Sequence, residues 1–173
     1  MHILIDGYNL IRQSINLRRF ERQSLEAGRK ALIAWLSEYQ KKKNHRITVV
    51  FDGWVSGSAQ EERDYSAGIH MIYSPKGVKA DDVLKKIAAS TDEEILVVSS
   101  DREIASFAIR KGKATLSSLE FESIVNKQAT PVNNDSFVPK DEDDEDTRAV
   151  SKKGPAHRLS RSKRQTLTKV RKL

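Results

Sequence analysis

Four aspartates of this sequence fall where a short apolar run stops. Asp6 closes the run His2–Asp6, Asp52 closes Arg46–Asp52, and Asp101 lies just past Leu96–Ser99. Asp81, with Asp82 beside it, opens a helix-like stretch just after the run Ile69–Ser74. If these runs are neighbouring strands of one parallel sheet, their C-terminal ends meet, and ligand sites in such sheets lie beyond those ends. Carboxylates crowded on one edge repel and raise each other's pKa. A bound divalent cation relieves that repulsion. Oxygen-only ligands in a chain without cysteine favour Mg²⁺ or Mn²⁺ over zinc. Asn9 follows Asp6 by three residues, and its amide suits a metal-bound water or a phosphate oxygen. Each residue also has a plainer reading. Asp101 can cap a helix, Asp81 or Asp82 can favour a helix N-terminus, Asp6 and Asp52 can serve Asp-Gly turns, and Asn9 can cap a turn. Four acids at corresponding strand ends are harder to explain that way than any one of them.

Other chemistries find less support. Without cysteine there is no thiolate nucleophile, zinc–thiolate site or disulfide framework. His2, His45, His70 and His157 are scattered and read as structural or surface residues, and no Ser-His-Asp arrangement has usable spacing. Both phosphate-cradling glycine motifs, G-x-x-x-x-G-K-[ST] and G-x-G-x-x-G, are absent. No apolar run reaches the ~20 residues of a membrane span. The N-terminus reads as a first strand rather than a signal peptide, so the expected location is the cytoplasm.

The elements that must position the acids alternate. Strands are expected at His2–Asp6, Arg46–Asp52, Ile69–Ser74 and Glu94–Ser99, with a short one at Lys113–Ser117. Helices are expected at Glu21–Lys43, Ala80–Thr91, Asp101–Gly112 and Leu119–Lys127, from apolar residues at helical spacing and a glycine stop. Gly53–Gly68 reads as a loop. The pattern implies an α/β fold with a mainly parallel central sheet and helices on both faces.

The 173 residues carry a formal net charge of +7, unevenly distributed. Residues 1–130 hold 20 basic and 17 acidic groups. Beyond them, Asp135–Asp146 holds seven acids and one lysine, and Arg148–Leu173 holds ten basic residues and no acid. Such blocks usually stay solvated or act as interaction tails. The expected organisation is one domain over 1–130 and a disordered acidic-then-basic tail over 131–173. The tail is read either as a solubilising appendage or as an RNA or ribosome contact, with a weak helix where Leu159, Leu167, Val170 and Leu173 sit among bases. Arg12, Arg18, Arg19, Arg22, Lys76, Lys79 and Arg102 are candidates to attract a polyanion to the acidic edge. Tyr8 and Trp54, in loops beside the acids, either stack on bases or pack in the core.

The segments ILIDGYNLI, VVFDGW, SPKGVKADDVLKKI and LVVSSDREIASFA, in that order over about residues 2–127, resemble the YacP-like branch of the NYN-domain family of PIN-like ribonucleases. The resemblance implies a PIN-like three-layer fold and a metal-dependent endoribonuclease leaving a 5′-phosphate and a 3′-hydroxyl. The positions matching the family's acids are Asp6, Asp52, Asp81 and Asp101, with Asn9 as the associated polar residue; Asp82 is an extra neighbour. It further implies RNA, in particular mRNA on the ribosome, as partner. A non-catalytic RNA- or ribosome-binding adaptor is the alternative. A small-molecule phosphotransfer enzyme or receiver-like domain is disfavoured by the missing phosphate loop and the basic tail.

Overall fold

The computed structural model describes residues 1–53, 59–91, 93–129 and 161–173. Six strands form one sheet in the order β3-β4-β2-β1-β5-β6. They are β1 (His2–Asp6), β2 (Arg46–Phe51), β3 (Glu62–Ser66), β4 (Ile69–Tyr73), β5 (Ile95–Val98) and β6 (Ala114–Leu116). Every pairing is parallel except β3 with β4. The α/β architecture with a mainly parallel sheet is therefore as the alternation predicts. β1 and β5 are buried along their whole length, and β2 everywhere but Arg46. Such strands read as continuous apolar runs because both faces are covered.

The helices are α1 (Gly7–Gln13), α2 (Ile15–Glu21), α3 (Leu25–Lys43), α4 (Ala80–Ser90), α5 (Arg102–Arg110), α6 (Ser118–Ala129) and α7 (Arg161–Val170). One core face joins α1, α3 and α6 to Ile3, Ile5, Val49, Phe51, Leu96 and Val98. The other joins α4 and α5 to Leu4, Val50, Ile72, Ile95 and Val97. Alternate residues of one strand thus serve opposite cores, as a side-chain period of two requires.

Three expectations change. The predicted loop Gly53–Gly68 contains β3, an edge strand whose five residues are all exposed. With nothing buried it carries no apolar period. It is held by backbone pairing to β4 across a turn in which Ala67 and Gly68 take φ of 52° and 86°. The turn after β1 is two short helices, and the long helix starts at Leu25 rather than Glu21. Ser14 and Ser24 accept from Leu17 N and Ala27 N, and these caps divide the segment.

The third change concerns the tail. The boundary near 130 and the acidic block fall outside the described residues. The last thirteen residues do not behave as a free appendage. α7 lies against β6, Leu173 is 1% exposed, and Val170 packs on the same core as α6. Thr166 donates to Thr115 O and the buried Lys169 Nζ to Ile95 O at 2.7 Å. Lys172 pairs with Glu94. The apolar residues of this basic stretch are few, but Val170 and Leu173 meet a core that offers them burial, which composition alone does not reveal.

Candidate active site

β1 delivers Asp6 to the C-terminal edge of the sheet, where it caps α1 by accepting from Asn9 N at 3.2 Å. Its other oxygen accepts from Ser99 Oγ at 3.2 Å. Gly7 is required beside it, because a Cβ there would lie 2.4 Å from the Phe51 ring. Asp6 is 8% exposed. Burial pushes its carboxyl up to about 6; the bonds from Asn9 and Ser99 oppose the shift, and the charges of Asp81 and Asp101 add to it.

Asp101 caps α5. Its Oδ1 accepts from Glu103 N at 2.6 Å and Ile104 N at 3.2 Å. Its Oδ2 takes no hydrogen bond from the described residues. The Ser99 hydroxyl that donates to Asp6 also accepts from Asp101 N at 3.1 Å, tying the two acids together. Asp81, in the first turn of α4, is half-buried, and its pKa is raised by burial first and by Asp101 next. Lys85, paired with Glu103, lowers it. Asp82 is exposed on the same turn, and the charges that raise Asp6 come from Asp81 and Asp101. The structure thus joins Asp81 rather than Asp82 to the acidic edge.

Asp52 follows β2 and is half-buried; its Oδ1 accepts from Ser74 Oγ at 3.4 Å, and that hydroxyl accepts from Gly53 N. It stands one strand away from Asp6. Asn9 does structural work: its Oδ1 accepts from Ser100 N at 2.9 Å and Ser118 Oγ at 2.8 Å, clamping the turns after β1, β5 and β6. Only its NH₂ end is left to offer a ligand. Among the described residues no three His, Asp or Glu side chains converge closely enough to hold one metal ion together. The acids form an electrostatic group, not a closed cage.

The link of Ser99 to Asp6 and the clamping roles of Ser74 and Ser118 have no counterpart in the sequence reading. The signal was there in the serines of the turns after β4, β5 and β6, in SP, SSD and SSL. Tyr8 sits in α1 rather than in a loop, and of its two readings core packing holds: it is 8% exposed, edge-on to Phe51 at 5.3 Å, with its hydroxyl accepting from Arg29. It packs in the core and is not a base-stacking platform. Trp54 lies outside the described residues. Arg18, Arg19, Arg22, Lys76, Lys79 and Arg102 are exposed, and Arg12 is paired with Glu21. Of the histidines, His2 bonds Thr48 and His45 the Lys172 carbonyl, His70 stands beside the Tyr65 ring, and His157 is outside the described residues.

The raised Asp6 pKa makes a stability prediction. The native state holds this proton more tightly than the unfolded chain does. The resulting stabilisation is complete below about pH 3.8 and is lost as pH rises through about 6. His2, held near 4 by burial, contributes with opposite sign: its stabilisation is present above 6.5 and lost as pH falls. Comparing Asp6→Asn with the wild type isolates the first effect. In EDTA near neutral pH the variant is expected to be more stable by on the order of 2 kcal/mol, and equal to the wild type near pH 4. Urea melts at the two pH values check it; a variant less stable at neutral pH refutes it.

Comparisons with known proteins bear on the fold and the family. A crystal structure of Rae1 (YacP) from Bacillus subtilis superposes with a TM-score of 0.60 and 27% identity, over 73% of this chain and 74% of that one. The crystal structure of a point mutant of that protein gives 0.59 and 26% over the same shares. The Bacillus subtilis (strain 168) protein described as "Uncharacterized protein YacP" is 29% identical over 102 residues, 57% of this chain and 59% of the relative. The chain thus spans less than two thirds of that relative's length. No described helix is long and apolar enough to cross a membrane. The model of the YacP-like NYN domain matches residues 3–172, so α7 lies inside the match, and the chain belongs to this family of PIN-like nucleases.

Proposed function

We propose that the chain is a Mg²⁺- or Mn²⁺-dependent endoribonuclease acting at the edge formed by Asp6, Asp81 and Asp101, with Asp52 at its border. The observation that carries this reading is Asp6: a carboxylate 8% exposed at the end of a central parallel strand, its pKa raised further by two other acids. A cation is the simplest group that would offset so much negative charge. The donors are all hard oxygens, which fits Mg²⁺, an ion that commonly takes one or two carboxylates and keeps several waters. Asp6 and the free Oδ2 of Asp101 would hold it, with Asp81 and Asp52 orienting its waters. When bound, the ion would supply an activated water and offset charge on the phosphate. Asn9 and Ser99 keep the acids in register, and the Asn9 NH₂ would position a water or a phosphate oxygen. The substrate we propose is RNA, in particular mRNA on the ribosome, within the cytoplasm.

The lack of three convergent acids among the described residues favours one second reading, a non-catalytic RNA- or ribosome-binding adaptor. One experiment separates them. The purified chain is incubated with labelled RNA in millimolar Mg²⁺, in Mn²⁺ and in EDTA. Internal cleavage with either metal and none in EDTA is expected; RNA binding without cleavage in every condition establishes the adaptor. Metal is also expected to raise the melting temperature. A ligand present at about 100 times its Kd adds about 2.7 kcal/mol, and the shift should shrink in Asp101→Asn.

A further inference from the structure

α7 has a direction. Thr166 bonds the middle residue of β6, Lys169 bonds Ile95 O at the foot of β5, and Lys172 reaches Glu94 below it. The helix therefore runs antiparallel to β6. Its N-terminal end points toward the strand ends that carry Asp6 and Asp101. A ten-residue helix is about 15 Å long, enough to join the foot of the sheet to that edge.

Its charge is one-sided. Residues 161–173 contain six basic residues and no acid. Lys169 is spent inside, on the Ile95 carbonyl, and Lys172 offsets Glu94. Arg164 and Arg171 are exposed and make no ion pair among the described residues. Arg164 borders a cavity of about 500 Å³ with Gln165, Thr168 and Gly112. The acid on its described lining is Glu94, which Lys172 compensates.

Resting on the nuclease reading above, we propose that the exposed face of α7, through Arg164 and Arg171, is a fixed rail for the phosphodiester backbone of the RNA substrate. An acidic edge repels RNA, so affinity must come from cations held elsewhere on the domain, and phosphate contacts supply it without regard to sequence. A helix docked on the core presents those charges at set positions, where a free tail would have to be ordered on binding.

The test is binding of a labelled single-stranded RNA in EDTA, followed across salt concentration. The variants are Arg164→Glu with Arg171→Glu, the charge-removing pair Arg164→Gln with Arg171→Gln, and a control of equal charge change, Arg63→Glu with Lys86→Glu. Thermal melts confirm that α7 stays docked. The glutamate pair is expected to weaken binding about tenfold or more and to flatten the log–log salt slope by roughly 1.4, two single-strand contacts. The glutamine pair should give the same slope change with a smaller loss, and the control should bind almost as the wild type does. Rail variants that bind like the control, or a wild type that binds no RNA, overturn the rail; the former result leaves the basic edge to an acidic protein partner. Cleavage is scored separately. A wild type that binds through the rail but never cuts sinks the nuclease reading and keeps the rail.

Discussion

Asp101→Asn is expected to lower RNA cleavage by roughly 10³-fold while moving stability by less than about 1 kcal/mol. The structure distinguishes the two oxygens of this side chain. Oδ1 caps α5 through Glu103 N and Ile104 N, and an asparagine oxygen does the same. Oδ2 is left over, and the negative charge it shares is what Asp6 and Asp81 feel. The substitution therefore deletes charge and keeps the cap. Asp82→Asn, one residue from Asp81 but exposed, should leave cleavage unchanged. Measured on purified protein at fixed metal, with melts alongside, the pair localises the chemistry. Wild-type cleavage by Asp101→Asn would remove the acidic edge from the mechanism. Equal losses in both variants would mean that net charge, not position, matters.

The second large effect is on stability and comes from the far end of the chain. Leu173→Ala should cost roughly 2–4 kcal/mol, as deletion of a buried leucine side chain does. For a chain of this length that lowers the melting temperature by roughly 5–12 °C. Leu173 is 1% exposed, and its carbonyl accepts from the buried Tyr39 hydroxyl. Removing residues 161–173 altogether should cost more, because it uncovers β6 and strips Lys172 from Glu94. Cleavage by the deletion would then be low through loss of fold, even though no acid has changed. An unaltered melt in both variants would show that α7 is not part of the folded domain. The measurement also bears on the rail: charge variants of Arg164 and Arg171 leave Val170 and Leu173 in place, and only Leu173→Ala and the deletion should cost the core.

The destabilising character of the acidic edge ties these effects together. Asp6 is buried where its charge is unfavourable, among neighbours of like sign, and the fold tolerates this because β1, β2 and β5 are buried so completely. Ser99 and the Asn9 clamp hold the acids together against their repulsion. A buried carboxylate among like charges costs stability, which is why Asp6→Asn is expected to strengthen the protein in EDTA.

Much of this was legible in the residues. Near-continuous apolar runs identified β1, β2 and β5, because strands covered on both faces have little polar alternation to obscure them, and β4 was identified from Ile69, Met71 and Ile72 although its His70 is exposed. An aspartate at the end of each of two central strands, and another opening each of two helices, placed the acids on one edge, because parallel strands share their C-terminal side. What sequence could not supply was contact. β3 was invisible because it buries nothing. Tyr8 read as a loop aromatic because only the packed sheet shows Phe51 and Arg29 beside it. The resemblance singled out Asp81 over Asp82, but only the docking of α4 shows that Asp81 is half-buried beside Asp101 while Asp82 is exposed. α7 was hidden by its own charge. Composition counts bases and predicts solvation, but two apolar side chains and one buried lysine suffice to dock a helix when a core face and the Ile95 carbonyl await them. The types and spacing of the residues determined by themselves which family the chain resembles and which acids lie at strand ends and helix starts. Only the tertiary structure decided which of them share an electrostatic field, and which end of the chain completes the domain, because both depend on distances between residues far apart in sequence.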